Sequence, residues 1–161
     1  MSAKKSILFV CTGNTCRSPM AEGLFAKAVE ARDDFEVASA GVSAGRGEPP
    51  AKDTVRLLEG RGIKLKKPGS QPVTRDLLEK ATHIFAMTSG HLEMLERRFP
   101  DYTDKFYLTC EFVDLPGKGV AADVPDPIGM GRKAYEDTAK IFDQAIPTLI
   151  AFIDQTWQAG E

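Results

Sequence analysis

The chain is poor in the residues that usually staple, anchor or metallate a small protein. It has three cysteines, two histidines and one tryptophan in 161 residues. An odd number of cysteines with no C-x-x-C pair makes a poor disulfide framework, and too few Cys and His are present for a structural zinc site. Free thiols in a reducing, cytoplasmic compartment fit better. Charge of either sign is also not in excess: 21 Lys and Arg against 23 Asp and Glu leave a formal charge of -2. That balance exerts no pull toward nucleic acid or anionic lipid, so neither is expected as a partner and any anion preference must come from a local site. Long hydrophobic runs are missing as well. The run from Ile7 to Val10 is too short for a signal sequence or a membrane span. What is present is 42% hydrophobic and 27% charged residues, the profile of a folded globular chain. One domain over residues 1–161 is the expectation.

Apolar runs that suit strands alternate with stretches of helical period, which predicts an α/β fold with a parallel sheet. Strands are expected at Ser6–Val10, Phe35–Ser39, His83–Met87 and Phe106–Thr109. The first helix is expected to open with Ser18 as N-cap and Pro19 at the first helical position. Further helices are predicted around Asp53 to Arg61, from Thr74 to Lys80, after a cap at Ser89, and from about Arg132 to Gln155. The apolar face of the last comprises Tyr135, Ile141, Phe142, Ala145, Leu149, Phe152 and Ile153, with Pro147 as a source of kinking. The result is a four-stranded parallel sheet with helices on both faces.

Between the first strand and the first helix lies Cys11-Thr-Gly-Asn-Thr-Cys-Arg17. Open α/β sheets bind ligands beyond the carboxyl ends of their strands, and backbone N–H groups at a helix start form an anion cradle. Thr12, Gly13, Asn14, Thr15, Cys16 and Ser18 are the candidate phosphate-binding positions. The loop lacks the G-x-x-x-x-G-K-[ST] pattern, and one glycine is too few for a dinucleotide fingerprint. A cysteine in the cradle points instead to nucleophilic attack on phosphorus. The helix terminus and Arg17 favour a charged sulfur, and the planar fork of Arg17 suits two phosphoryl oxygens. C-x5-R alone recurs by chance; the longer string through Ser18-Pro-Met-Ala-Glu22, placed between strand and helix, carries the reading.

At these residues the sequence resembles the low-molecular-weight protein tyrosine phosphatase family, over nearly the whole chain. The resemblance implies a cysteinyl-phosphate mechanism without metal or organic cofactor, acting on phosphorylated proteins and inhibited by phosphate and other oxyanions. It assigns Cys11 as nucleophile, Arg17 as phosphate clamp and Asp126, in Asp126-Pro127, as general acid. On residues alone an Asp-Pro in a loop is usually a turn. The family braces its loop asparagine, here Asn14, by a serine and a histidine. Ser43 matches the serine, while Lys67 stands at the histidine position. Asn14 itself is expected in a left-handed conformation.

Two positions bear on the substrate. Thr15 resembles the protein-arginine phosphatase branch, where tyrosine phosphatases carry a bulky aliphatic residue. Ile128-Gly129 follows Asp126-Pro127 where the tyrosine branch has aromatic residues. Together they favour phosphoarginine over phosphotyrosine, with Met130 or Phe112 as an apolar wall for the alternative. Cys16 is open between a redox partner for Cys11 and a small packed side chain. Cys110 is expected in the core, and His83 and His91 in structural or surface roles. The rival activities are a thiol-dependent arsenate reductase, for which only Cys110 remains as relay, and a phosphopeptide-binding module without turnover.

Overall fold

The computed structural model describes residues 4–66 and 69–157. Strand β1 (Lys5–Cys11) leads through the loop into helix α1 (Arg17–Ala28), and the chain returns as β2 (Phe35–Gly41). Helices α2 (Lys52–Gly60) and α3 (Arg75–Lys80) precede β3 (His83–Ala86), which is followed by α4 (Ser89–Arg98) and β4 (Phe106–Leu108). A short hairpin, β5 (Asp114–Leu115) and β6 (Gly119–Val120), comes before the long helix α5 (Arg132–Thr156). The main sheet has four strands in the order β2-β1-β3-β4, all parallel. The predicted sheet and its flanking helices are therefore present; the hairpin and a 3-10 turn at Pro100–Lys105 were not foreseen.

Strand periodicity sorts the core into two layers. Alternate side chains of a strand face opposite sides of the sheet. Ile7, Phe9 and Cys11 of β1 join Phe85 of β3 in a cluster covered by α1, α2 and α5. Leu8 and Val10 join Ile84 and Ala86 in a second cluster with Leu78 of α3 and Leu95 of α4. Burial on both faces explains why β1 reads as a continuous apolar run rather than an alternating one. The same alternation turns the Cys11 side chain toward α1 and α5.

Two predicted caps fall elsewhere. α1 begins at Arg17, so Ser18 lies inside the first turn and Cys16 is the N-cap residue, with no side-chain cap. α4 is capped by Thr88, whose extended backbone leaves its hydroxyl accepting from the His91 amide at 3.1 Å, while Ser89 is the first helical residue.

Candidate active site

Because all four strands run parallel, the β1–α1 loop, the segment after β2 and the start of α4 gather at one edge of the sheet. Cys11 ends β1 and is 3% exposed, with its Sγ 2.8 Å from Ser18 Oγ. Asn14 takes the expected left-handed backbone (φ 58°) and is buried. Its amide is fully used: Oδ1 accepts from the Gln71 amide at 2.9 Å, and Nδ2 donates to Ser18 Oγ at 2.8 Å and to Ser39 Oγ at 2.9 Å. The orientation of the side chain follows, since only an oxygen can accept from Gln71. With Ser18 Oγ already accepting from Asn14, its own proton is free to point at Cys11 Sγ. Ser39 in turn donates to Glu22.

Ser43 does not brace Asn14 with its side chain, contrary to the expectation from the resemblance. Its side chain is exposed and only its amide reaches the loop, donating to Thr12 O at 3.0 Å. The bracing serine is Ser39, because the parallel register sets Ser39 beside Phe9 and Cys11 beside Gly41. A side chain two residues back along β2 sits under the loop, whereas Ser43 has already left the strand. Lys67 lies outside the described residues. The brace that the resemblance gives to a histidine is made here by Gln71, whose side chain also donates to Ser39 O at 2.9 Å. Gly41 is required by this packing: a Cβ there would collide with Thr12 O and lie 2.7 Å from Ala44 Cβ.

Arg17 is 6% exposed, and Nη1 donates to Val124 O at 2.9 Å. Its Nη2 lies 3.8 Å from Asp126 Oδ2. Asp126 is half-exposed, and its Oδ1 accepts from the Ile128 amide at 3.1 Å, leaving Oδ2 toward the loop. The segment carrying Asp126 is pinned to the sheet edge through Val124, whose amide donates to Met87 O at 2.9 Å, and through Asp123, which takes the Ser89 amide at 2.8 Å. The structure thus brings together Cys11, Arg17, Ser18 and Asp126 from segments more than a hundred residues apart.

The remaining loop positions are set from α2 and α5. Thr15 is half-buried and its carbonyl accepts from the Ala51 amide at 2.9 Å. Cys16 O accepts from Thr54 Oγ1 at 3.3 Å, and its Sγ contacts Tyr135 Oη at 3.3 Å. Burial, reinforced by that thiol, pushes the Tyr135 phenol up, so it stays protonated. Thr12 is exposed, but its Oγ1 sits 2.8 Å from Nε2 of His91, a structural contact of the expected kind whose partner no sequence signal announced. Gly13 is half-buried. All three cysteines are free thiols. Cys110 is fully buried, as expected, and burial pushes its thiol up to about 11, which keeps it neutral and unsuited to a disulfide relay. Ile128 and Met130 flank Asp126 and are 60% and 71% exposed. Phe112 is committed elsewhere, stacked on Phe152 with ring centres 4.4 Å apart. Among the described residues no group of three or more His, Cys, Asp or Glu is placed to hold a metal ion.

A thiol over a helix start, a buried guanidinium in the following turn and a carboxyl at the rim are the groups that phosphoryl transfer to sulfur requires. Comparison with known proteins agrees. Residues 6–159 match the model of the low molecular weight phosphotyrosine protein phosphatase family. The protein-arginine-phosphatase of Geobacillus stearothermophilus is 42% identical over 80% of this chain and 82% of its own length. That of Bacillus subtilis is 37% identical over 89% of this chain and 93% of its own. The solved YwlE arginine phosphatase, in a mutant form with a phosphorylated active-site serine, superposes with a TM-score of 0.83 at 34% identity, covering 94% of this chain and 97% of that one. The family match spans almost every described element, from β1 through α5, and the chain belongs to the low molecular weight phosphotyrosine protein phosphatase family.

Proposed function

We propose that this chain, as a single catalytic domain, removes phosphoryl groups from arginine side chains of proteins through a cysteinyl-phosphate intermediate. Cys11 Sγ attacks phosphorus while Asp126 gives its proton to the departing guanidine nitrogen; the S–P bond forms as the P–N bond breaks. Asp126 then takes a proton from water, which attacks phosphorus, and the S–P bond breaks to return the sulfur as thiolate and release phosphate. Arg17 and the loop N–H groups of Thr12 to Ser18 hold the equatorial oxygens throughout. Free phosphate and other oxyanions compete for the same cradle. No step calls for a metal or organic cofactor. Cytoplasmic residence agrees with three free thiols, and no helix among the described residues is long and apolar enough to cross a membrane.

The observation that carries the mechanism is the pairing of Cys11 Sγ with Ser18 Oγ at 2.8 Å directly beside a buried Arg17. The substrate assignment rests on Thr15 in that loop, on Ile128-Gly129 after Asp126-Pro127, and on the arginine phosphatases among the relatives. A threonine is shorter than a branched aliphatic residue and offers a hydrogen bond to a planar guanidinium. Phosphotyrosine is the second reading, favoured by the exposed apolar pair Ile128 and Met130 beside Asp126, which could flank a phenyl ring. Comparing kcat/KM on peptides bearing phosphoarginine or phosphotyrosine, then repeating the comparison with Thr15→Ile, separates the two. Phosphoarginine preference that Thr15→Ile weakens supports the assignment; an unchanged ratio would sink the role of Thr15.

A further inference from the structure

We infer that His91 is a positioning residue for the phosphate-binding loop, holding the Thr12 hydroxyl so that its proton faces the mouth of the site. The inference rests on the phosphatase reading above and concerns a side chain from the opposite face of the sheet. His91 sits in the first turn of α4, 6% exposed, with Nε2 2.8 Å from Thr12 Oγ1. Its Nδ1 is buried and has no hydrogen-bond partner among the described residues.

That orphan nitrogen decides the tautomer. If Nδ1 carried the proton, a buried N–H would be left without an acceptor, a rarer and costlier fault than a bare lone pair. The proton therefore belongs on Nε2, and His91 donates to Thr12 Oγ1. Thr12 must then turn its own O–H away from the imidazole. Thr12 is exposed and follows Cys11 directly, so that proton is presented where a phosphoryl oxygen would lie.

The ring also has to stay uncharged, since a second proton would sit on the unpartnered, buried Nδ1. Burial, and then Arg17, hold His91 down to about 4 against the opposing pull of Asp123 and Asp126. The scaffold beneath it is tied to the same groups. Asp123 takes the Ser89 amide at 2.8 Å at the start of α4, and Val124 joins Met87 to Arg17 by backbone and side-chain bonds of 2.9 Å each. The loop is thus braced twice: Asn14 from the β2 side through Ser39 and Gln71, and Thr12 from α4 through His91.

The test uses p-nitrophenyl phosphate with the full chain and the variants His91→Leu, His91→Gln, Thr12→Val and the double variant His91→Leu/Thr12→Val. Loss of one neutral hydrogen bond predicts kcat lower by about three- to tenfold in each single variant, with KM little changed. The double variant should be no worse than Thr12→Val alone, because His91 acts only through the Thr12 hydroxyl. His91→Gln, whose amide can still donate, should recover most of the loss. Three results would overturn the inference: losses that multiply in the double variant, a glutamine variant no better than leucine, or variants that lose thermal stability while folded protein keeps its kcat. Thr12→Val alone keeps the question decidable should the leucine variant fail to fold, since a full kcat in that variant also refutes it. Wild-type hydrolysis that is absent, or that survives Cys11→Ser, would instead overturn the phosphatase reading itself.

Discussion

Replacing Asn14 tests the construction of the loop most directly, because the residue contributes three hydrogen bonds and a left-handed backbone at once. Each neutral hydrogen bond contributes about 1 kcal/mol, and a left-handed conformation costs an alanine about 1 kcal/mol or more. Asn14→Ala should therefore destabilise the fold by roughly 4 kcal/mol, with the half-buried Gln71 amide losing its acceptor. Asn14→Gly loses the same bonds but not the strain; after the extra unfolded-state entropy of glycine it should sit about 0.5–1 kcal/mol above alanine. Urea unfolding gives both numbers, and a domain of this size should show a Tm drop of roughly 8–16 °C for the alanine variant. Activity should fall further than stability explains, since the hydroxyl of Ser18 loses the donor that orients it toward Cys11. If glycine proves worse than alanine, the strain argument is wrong. If alanine costs under 1 kcal/mol, the three bonds do not hold the loop.

Three further outcomes follow from the same geometry. His83 and His91 are both held at about 4, chiefly by burial, with Lys5 and Arg17 respectively adding to it. The unfolded chain takes up protons below about 6.5 while the folded one resists them, so stability is complete above that pH and should decline as pH falls to about 4, by up to about 1.4 kcal/mol per unit for each histidine. Denaturant titrations at pH 7, 5.5 and 4.5 measure the slope, and a flat profile contradicts the burial of both rings. Gly41→Ala should cut activity at least tenfold, since a Cβ pressed against Thr12 O must displace the loop; an unaffected variant would mean the loop yields without consequence. If Cys16 serves as a redox partner, activity lost to peroxide should return with a thiol reductant in the wild type and not in Cys16→Ser, whereas equal recovery would leave Cys16 as a packing residue held by Tyr135.

What could be read from the sequence was whatever depends on local order. The β1–loop–α1 string named Cys11, Arg17 and the loop between them, because a strand end, a cradle and a helix start are contiguous in the chain. The parallel sheet was legible from apolar runs broken by helical periods, and the left-handed turn from the identity of Asn14. The misassigned caps are errors of one or two positions: α1 is capped by Cys16 rather than Ser18 and α4 by Thr88 rather than Ser89, because the flanking contacts decide which residue first takes helical angles.

The braces could not be read in this way, because they depend on register. Ser39 and Ser43 are equally polar, one in β2 and one just past its end, yet pairing of Phe9 with Ser39 puts one hydroxyl under Asn14, while the other faces solvent. A shift of register by one residue would reverse the faces of the whole strand. Gln71 and His91 show the same logic at longer range, since neither has a neighbour in sequence that marks it as part of a phosphate site. Their roles come from a sheet whose parallel strands deliver every following segment to one edge, where a buried amide, a hydroxyl or an imidazole must find a partner. The loop residues that perform chemistry are thus contiguous, and the residues that hold them are scattered, because catalysis needs a fixed spacing of a few ångströms and bracing needs only arrival at the same edge.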